Sequence, residues 1–158
     1  MEELARRLGE KLKHARALLA AAESCTGGWA AQVVTSVAGS SAWFERGFVT
    51  YSNDAKREML GVRPETLAAH GAVSEETARE MARGALARSK ASLALAITGV
   101  AGPGGGSADK PVGMVCFAWA SPDRVHSETR HFSGDRKSVR EQSVARALEG
   151  VLEHLERG

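Results

Sequence analysis

The stretch Glu23-Ser24-Cys25-Thr26-Gly27-Gly28 places two hydroxyls, a thiol and two glycines where a small apolar run gives way to a helical pattern. A nucleophile at such a strand-to-helix turn presents its side chain outward, and the backbone amides that follow can hold an oxyanion. Ser24, Cys25 and Thr26 are therefore the candidate nucleophiles. None of the five histidines (His14, His70, His126, His131, His154) lies in this loop or in the chain's other glycine-rich loop. The base to look for is then a lysine whose pKa is depressed by burial. Lys56 stands out, because the strand-like run ending "FVTYSND" can finish beside the first loop. Plain structural readings fit the same residues. Ser24 can simply cap a helix, Cys25 can be a small buried hydrophobe, and Lys56 can be a solvated helix lysine.

A second loop, Thr98 to Lys110 ("TGVAGPGGGSADK"), is also rich in glycine and hydroxyls, so its amides can approach an anion closely. It lacks the Gly-Lys-Ser/Thr ending of a P-loop and the helix that follows a dinucleotide fingerprint. A flexible connection explains it equally well. No His/Asp/Glu group has metal-ligand spacing, and no Ser-His-Asp spacing suggests a triad.

These loops need elements to hold them. Residues 2–16 carry Leu4, Leu8 and Leu12 at helical spacing. Residues 17–22 read as a short buried strand, 27–39 as a helix closed by Gly39, and 44–52 as a strand. Asn53 or Asp54 is the expected cap of a short helix running through Lys56 to Leu60. Ser74 is the expected cap of the next helix, with Glu75 and Glu76 in its first turn and Ala78, Met81, Ala82 and Ala85 on its apolar side. "SLALAITGV" is a continuous apolar strand, as expected when both faces are covered. A strand over 112–120, an edge strand over 125–133 and a final helix from Asp135 to Glu156 complete the alternation. One α/β domain over 1–158 follows, three layers α/β/α with a largely parallel or mixed sheet. Ligands of such folds gather at the carboxyl ends of the strands, where both loops belong.

Composition narrows the function classes. The net charge is +2 with signs interspersed, and aromatic residues make up 5% of the chain, so nucleic-acid binding has no support. No apolar run is long enough to span a membrane, and residues 1–20 lack the pattern of a signal peptide. Two cysteines without redox or metal spacing suit a reducing compartment, so a cytoplasmic location is expected.

Four long stretches, "AESCTGGWAAQVVTSVAGSSAWFERGFVTYSNDAK", "HGAVSEETAREMA", "AITGVAGPGGGSADKPVG" and "GDRKSVR", closely resemble the CinA C-terminal family, over almost the whole chain. The length is similar to the family's stand-alone branch, the nicotinamide-nucleotide amidases. Larger members carry a further N-terminal domain, whose activities are not transferred here. The resemblance implies hydrolysis of the carboxamide of nicotinamide mononucleotide (NMN) to nicotinate mononucleotide and ammonia, in pyridine nucleotide recycling. It implies a Ser/Lys mechanism with no metal or other cofactor. Carried onto this chain, Ser24 is the nucleophile, Lys56 the base, and Tyr51 a helper whose phenol orients the lysine or relays a proton.

The oxyanion is then expected at the amides around Cys25, Thr26, Gly27 and Gly28, with the positive end of the following helix aimed at it. Ser40, Ser41, Thr98, Gly99, Arg136 and Arg140 are the candidate contacts to the substrate and its phosphate. The expected partners are this small molecule and further copies of the chain, a homo-oligomer such as a dimer, with no nucleic acid and no membrane. Two other readings stay open: a Ser/Lys amidase or esterase for another nucleotide-like substrate, and a non-catalytic nucleotide-binding or protein-interaction module.

Overall fold

The computed structural model describes residues 1–157. Helix α1 (Glu2–His14) leads into strand β1 (Leu19–Glu23), then α2 (Trp29–Thr35), a 3-10 turn (Ser40–Ala42) and β2 (Phe44–Val49). Helices α3 (Asn53–Leu60), α4 (Pro64–His70) and α5 (Glu75–Ala87) precede β3 (Leu93–Gly99), β4 (Met114–Ser121), β5 (Arg124–His131) and α6 (Arg136–Arg157). The five strands form one sheet in the order β2-β1-β3-β4-β5. Strands β2, β1 and β3 run parallel, while β4 and β5 return antiparallel, so the sheet is mixed. None of the described helices is long and apolar enough to cross a membrane.

Strand alternation divides the core in two. Leu19, Ala21, Leu93, Leu95, Ile97, Val115, Phe117 and Trp119 face one side, where α1, α2 and α6 cover them. The other side presents Ala20, Ala22, Ala94, Ala96, Cys116, Ala118 and Ala120 to α3, α4 and α5. Small side chains on that face, matched by Ala78, Ala82 and Ala85, let α5 lie close to the sheet. Helix α5 is equally close to α3: a Cβ on Gly84 would stand 1.9 Å from the Leu60 carbonyl oxygen. On the opposite face Gly150 of α6 leaves room for the Trp119 indole, whose Nε1 donates to the Ala147 carbonyl at 2.9 Å.

Several boundaries differ from the sequence reading. The first strand includes Glu23, because its carboxylate finds donors inside the fold. Helix α2 stops at Thr35, and the Ser36 hydroxyl turns back to the Val33 carbonyl at 2.6 Å. Strand β2 ends at Val49, where the chain bends toward α3. That helix is capped by Ser52, whose Oγ accepts from the Ala55 amide at 2.9 Å, and not by Asn53 or Asp54. Ser74 does cap α5, accepting from the Thr77 amide at 3.1 Å. Helix α4, opened by Pro64, is a short element that the apolar pattern left unmarked.

Candidate active site

Parallel strands β1 and β3 end side by side, and the chain leaving β1 forms the loop of residues 24–28. Alternation continues past the strand end. Glu23 turns toward α2, and Ser24 turns to the face shared with α3. Helix α3 inserts Lys56 between itself and the sheet, with 1% of the residue exposed. Its Nζ is 2.9 Å from Ser24 Oγ, 3.0 Å from the Thr50 carbonyl oxygen and 3.1 Å from the Tyr51 carbonyl oxygen. All three partners are neutral oxygens. Burial therefore pulls the Lys56 pKa below its ordinary value, and the buried Cys25 beside it opposes this only in part. As a neutral amine, Lys56 can give its two N–H groups to the carbonyls and turn its lone pair to Ser24, which then donates its proton. This is the geometry of a serine activated by a lysine base.

Ser24 and Lys56 lie in a pocket of about 170 Å³ that Cys25, Tyr51, Thr98, Gly99 and Arg136 also line. These expected residues, drawn from β1, β3, α3 and α6, are brought together. Thr98, 1% exposed, gives its hydroxyl to the Ala72 carbonyl at 2.9 Å and so ties β3 to the turn before α5. Gly99 is required by packing, since a Cβ there would stand 2.8 Å from the Val115 side chain and 2.9 Å from the Met114 carbonyl oxygen. Arg136 donates to the Gly102 carbonyl at 2.9 Å and to the Tyr51 phenol at 3.3 Å. Burial pushes the Cys25 thiol up to about 11, which keeps it protonated near neutrality and a poor nucleophile.

Other expected placements are corrected. The Tyr51 phenol is 63% exposed as a residue and pairs with Arg136; it is the main-chain carbonyl of Tyr51 that holds Lys56. Ser40 and Ser41 precede β2, and β2 runs parallel to β1. They therefore sit at the amino end of the sheet, a six-residue strand or roughly 20 Å from the nucleophile loop. Arg140 lies behind that loop, giving Nε to the Cys25 carbonyl at 3.0 Å and Nη2 to the Thr26 carbonyl at 3.1 Å, with its guanidinium over Trp29. Its fork is spent on the protein.

The end of α2 does not meet the pocket with a free positive charge either. Glu23 accepts from the Ala30 and Ala31 amides at 2.9 and 3.0 Å and from the Thr26 hydroxyl at 2.6 Å. Thr26 is thus fully buried against Glu23, and Gly27 and Gly28, with φ of +56° and +101°, make the turn that brings the chain back over the carboxylate.

Residues that the sequence reading did not place in the site also line the pocket: Asn53, expected only as a helix cap, Ala72, Val73 and Ala101. Their only signal lay in the family-like stretches "TYSNDA", "HGAVS" and "TGVAGP", where small and apolar residues look like ordinary loop composition.

The comparisons with known proteins follow this geometry along the whole chain. The family model for the CinA C-terminal domain matches residues 1–155. Nicotinamide-nucleotide amidohydrolase PncC of Escherichia coli strain K12 is 58% identical over 155 residues, covering 97% of this chain and 93% of that protein. A protein of the same name from Pseudomonas putida is 56% identical over 151 residues, covering 95% and 94%. Among solved structures, the competence/damage inducible protein CihA from Agrobacterium tumefaciens is similar with a TM-score of 0.93 at 51% identity, covering 98% of this chain and 94% of that one. With the family model matched over residues 1–155 and relatives at 56% and 58% identity over nearly the whole chain, the chain belongs to the CinA C-terminal domain family.

Proposed function

We propose that this chain hydrolyses the carboxamide of NMN to nicotinate mononucleotide and ammonia, with Ser24 as nucleophile and Lys56 as base. The observation that carries the reading is the contact of 2.9 Å between Lys56 Nζ and Ser24 Oγ inside a pocket, the lysine having no charged partner among its hydrogen bonds. The relatives named nicotinamide-nucleotide amidohydrolases supply the substrate.

In the first step Ser24 Oγ bonds to the carboxamide carbon while its proton passes to neutral Lys56. The Cys25 amide, next after the nucleophile, stabilises the tetrahedral oxyanion. The C–N bond then breaks, and Lys56 returns the proton to the departing ammonia. Water, deprotonated by the same lysine, attacks the acyl carbon and releases Ser24 and the carboxylate product. Thr50 and Tyr51 act through their carbonyls, which fix Lys56. Arg136, with the Tyr51 phenol, supplies the cationic contact for the phosphate at the pocket's edge. The reaction takes place in the cytoplasm, where the two free thiols remain reduced.

Ammonia release from NMN by the purified, chelator-treated protein is the test. Wild type and Cys25→Ala turn over, whereas Ser24→Ala and Lys56→Ala lose at least about a thousandfold in kcat. Nicotinamide riboside, which leaves Arg136 unpaired, is turned over with a kcat/KM lower by about a hundredfold or more. A folded wild type that releases no ammonia would sink the substrate assignment, and activity in Ser24→Ala would sink the nucleophile.

A further inference from the structure

The loop of residues 24–28 is held from two sides by charged side chains that never enter the pocket. Its hydrogen bonds can be followed group by group. The Ser24 amide donates to the Ile97 carbonyl at 3.0 Å, and the Ser24 carbonyl accepts from Gly27 at 3.1 Å. The Cys25 carbonyl accepts from Arg140 Nε. The Thr26 carbonyl accepts from Arg140 Nη2 and from the Trp29 amide, the latter at 2.9 Å. On the other side the Thr26 hydroxyl and the Ala30 and Ala31 amides converge on the Glu23 carboxylate. From Ser24 to Thr26, among the described residues, only the Cys25 and Thr26 amides donate to no protein acceptor. Cys25 lines the pocket.

We propose that Glu23 and Arg140 are a pair of positioning residues, one taking the loop's donors and the other its carbonyls, which leave the Cys25 amide free and fixed as the oxyanion donor. The inference rests on the reading of Ser24 as the nucleophile. Two features mark the pair as built for position. Glu23 is 1% exposed, and its carboxylate takes its hydrogen bonds only from this loop and the first turn of α2. Arg140 uses two nitrogens of its planar fork on consecutive carbonyls, a rigid two-point hold that a lysine's single nitrogen on a flexible stem does not reproduce. A donor in an oxyanion site acts through its fixed place, so a small displacement costs rate with little effect on ground-state binding.

Two variants loosen one side each while keeping volume or charge: Thr26→Val, which removes the hydroxyl from Glu23, and Arg140→Lys, which gives up the fork. Two rates are followed in each, alongside thermal melting. One is NMN turnover. The other is covalent labelling of Ser24 by a fluorophosphonate, read by intact mass, in which the Oγ–P bond forms, fluoride leaves and the serine proton passes to Lys56.

In both variants kcat and the labelling rate should fall on the order of ten- to a hundredfold, with KM within about twofold of wild type. The pH dependence should keep its midpoint, since Lys56 is untouched. Thr26→Ser should recover most of the rate lost in Thr26→Val. The double variant should lose less than the product of the single losses, because both act on one loop. A rise in KM with kcat unchanged would make Arg140 a substrate contact and overturn the proposal, as would unaltered rates in either folded variant. Labelling needs no NMN, so a wild type that labels without releasing ammonia would fail the substrate assignment and leave the clamp to be judged by labelling alone.

Discussion

Ser24 and Lys56, the proposed nucleophile and base, are brought within 2.9 Å of each other by two local facts. Ser24 follows a strand residue, and its side chain therefore falls on the face opposite that of Glu23. Lys56 is one turn into α3 and is drawn beneath the chain at Thr50 and Tyr51, whose carbonyls replace the water an ammonium would need. Carbonyl oxygens compensate only part of that loss, which is why the lysine's pKa goes down. A base must be neutral to act, so kcat/KM should rise with pH through the Lys56 ionisation and level off above it. The midpoint should lie below the ordinary lysine value of 10.5. Stopped ammonia assays across pH will locate it. A profile that rises only at or above that value would remove Lys56 as the base. The sequence pointed to Ser24 and Lys56 by their place beside a strand-to-helix turn and by the family-like stretches that hold them. It gave Glu23 no role and put Arg140 among the substrate contacts, since a glutamate and a helix arginine carry no mark of the backbone groups they will meet.

Among the elements, α3 matters most, since it carries Lys56, the proposed base. Its end is pinned by α5: Gly84 lies against the Leu60 carbonyl, and Arg88 Nη1 donates to the same oxygen at 3.2 Å. Two terms compete in Gly84→Ala. Helix propensity favours alanine by about 1 kcal/mol. A methyl placed 1.9 Å from a backbone oxygen must push two helices apart, an overpacking cost of typically 1–3 kcal/mol. Steric cost should win, because backbone cannot step aside as a flexible side chain can. Urea unfolding should show a net loss of up to about 2 kcal/mol, and kcat should fall with it as Lys56 shifts. Equal or greater stability would mean that the α3–α5 contact is looser than described. Patterning marked α5 and its Ser74 cap correctly, because that helix is long and its apolar side repeats. It misplaced the cap of α3 among the three adjacent candidates Ser52, Asn53 and Asp54, and it set no bounds for the seven-residue α4.

The whole molecule keeps the candidate site at one end of the sheet's strands and a buried titratable group at the other. His154 of α6 is 3% exposed beside the β4–β5 turn. Ser121 Oγ donates to Asp123 Oδ1 at 3.0 Å and so accepts from His154 Nε2–H at 2.9 Å, leaving Nδ1 buried without a partner. Burial first, then the cations Arg124 and Arg157, push the His154 pKa down from 6.5 to about 4. In the unfolded chain this imidazole takes up its proton near pH 6.5, whereas in the fold it does so only near 4. The unfolded state therefore binds more protons within that window, and stability should be flat above it and decline as pH falls from about 6.5 to about 4. Glu128 and Glu153, both held low by Arg146, lose their contribution only further into acid. Urea midpoints should show the decline in wild type and a flatter course in His154→Gln. An unchanged slope in the variant would assign the decline to other groups.

The sequence by itself determined the order of the strands and the longer helices, the α/β class and the loop that bears the proposed nucleophile. Each of these follows from local periodicity, turn residues and propensity, which are written within a few residues of where they act. Tertiary structure alone decided which end of the sheet each loop would occupy. It separated Ser40 and Ser41 from the site by the direction of a parallel strand. It turned Arg140 from the pocket to the carbonyls behind the loop, and it gave the start of α2 to Glu23. Each of those outcomes depends on which partners meet across the sheet, and hydrogen-bond partners 115 residues apart, such as Cys25 and Arg140, leave no trace in local sequence.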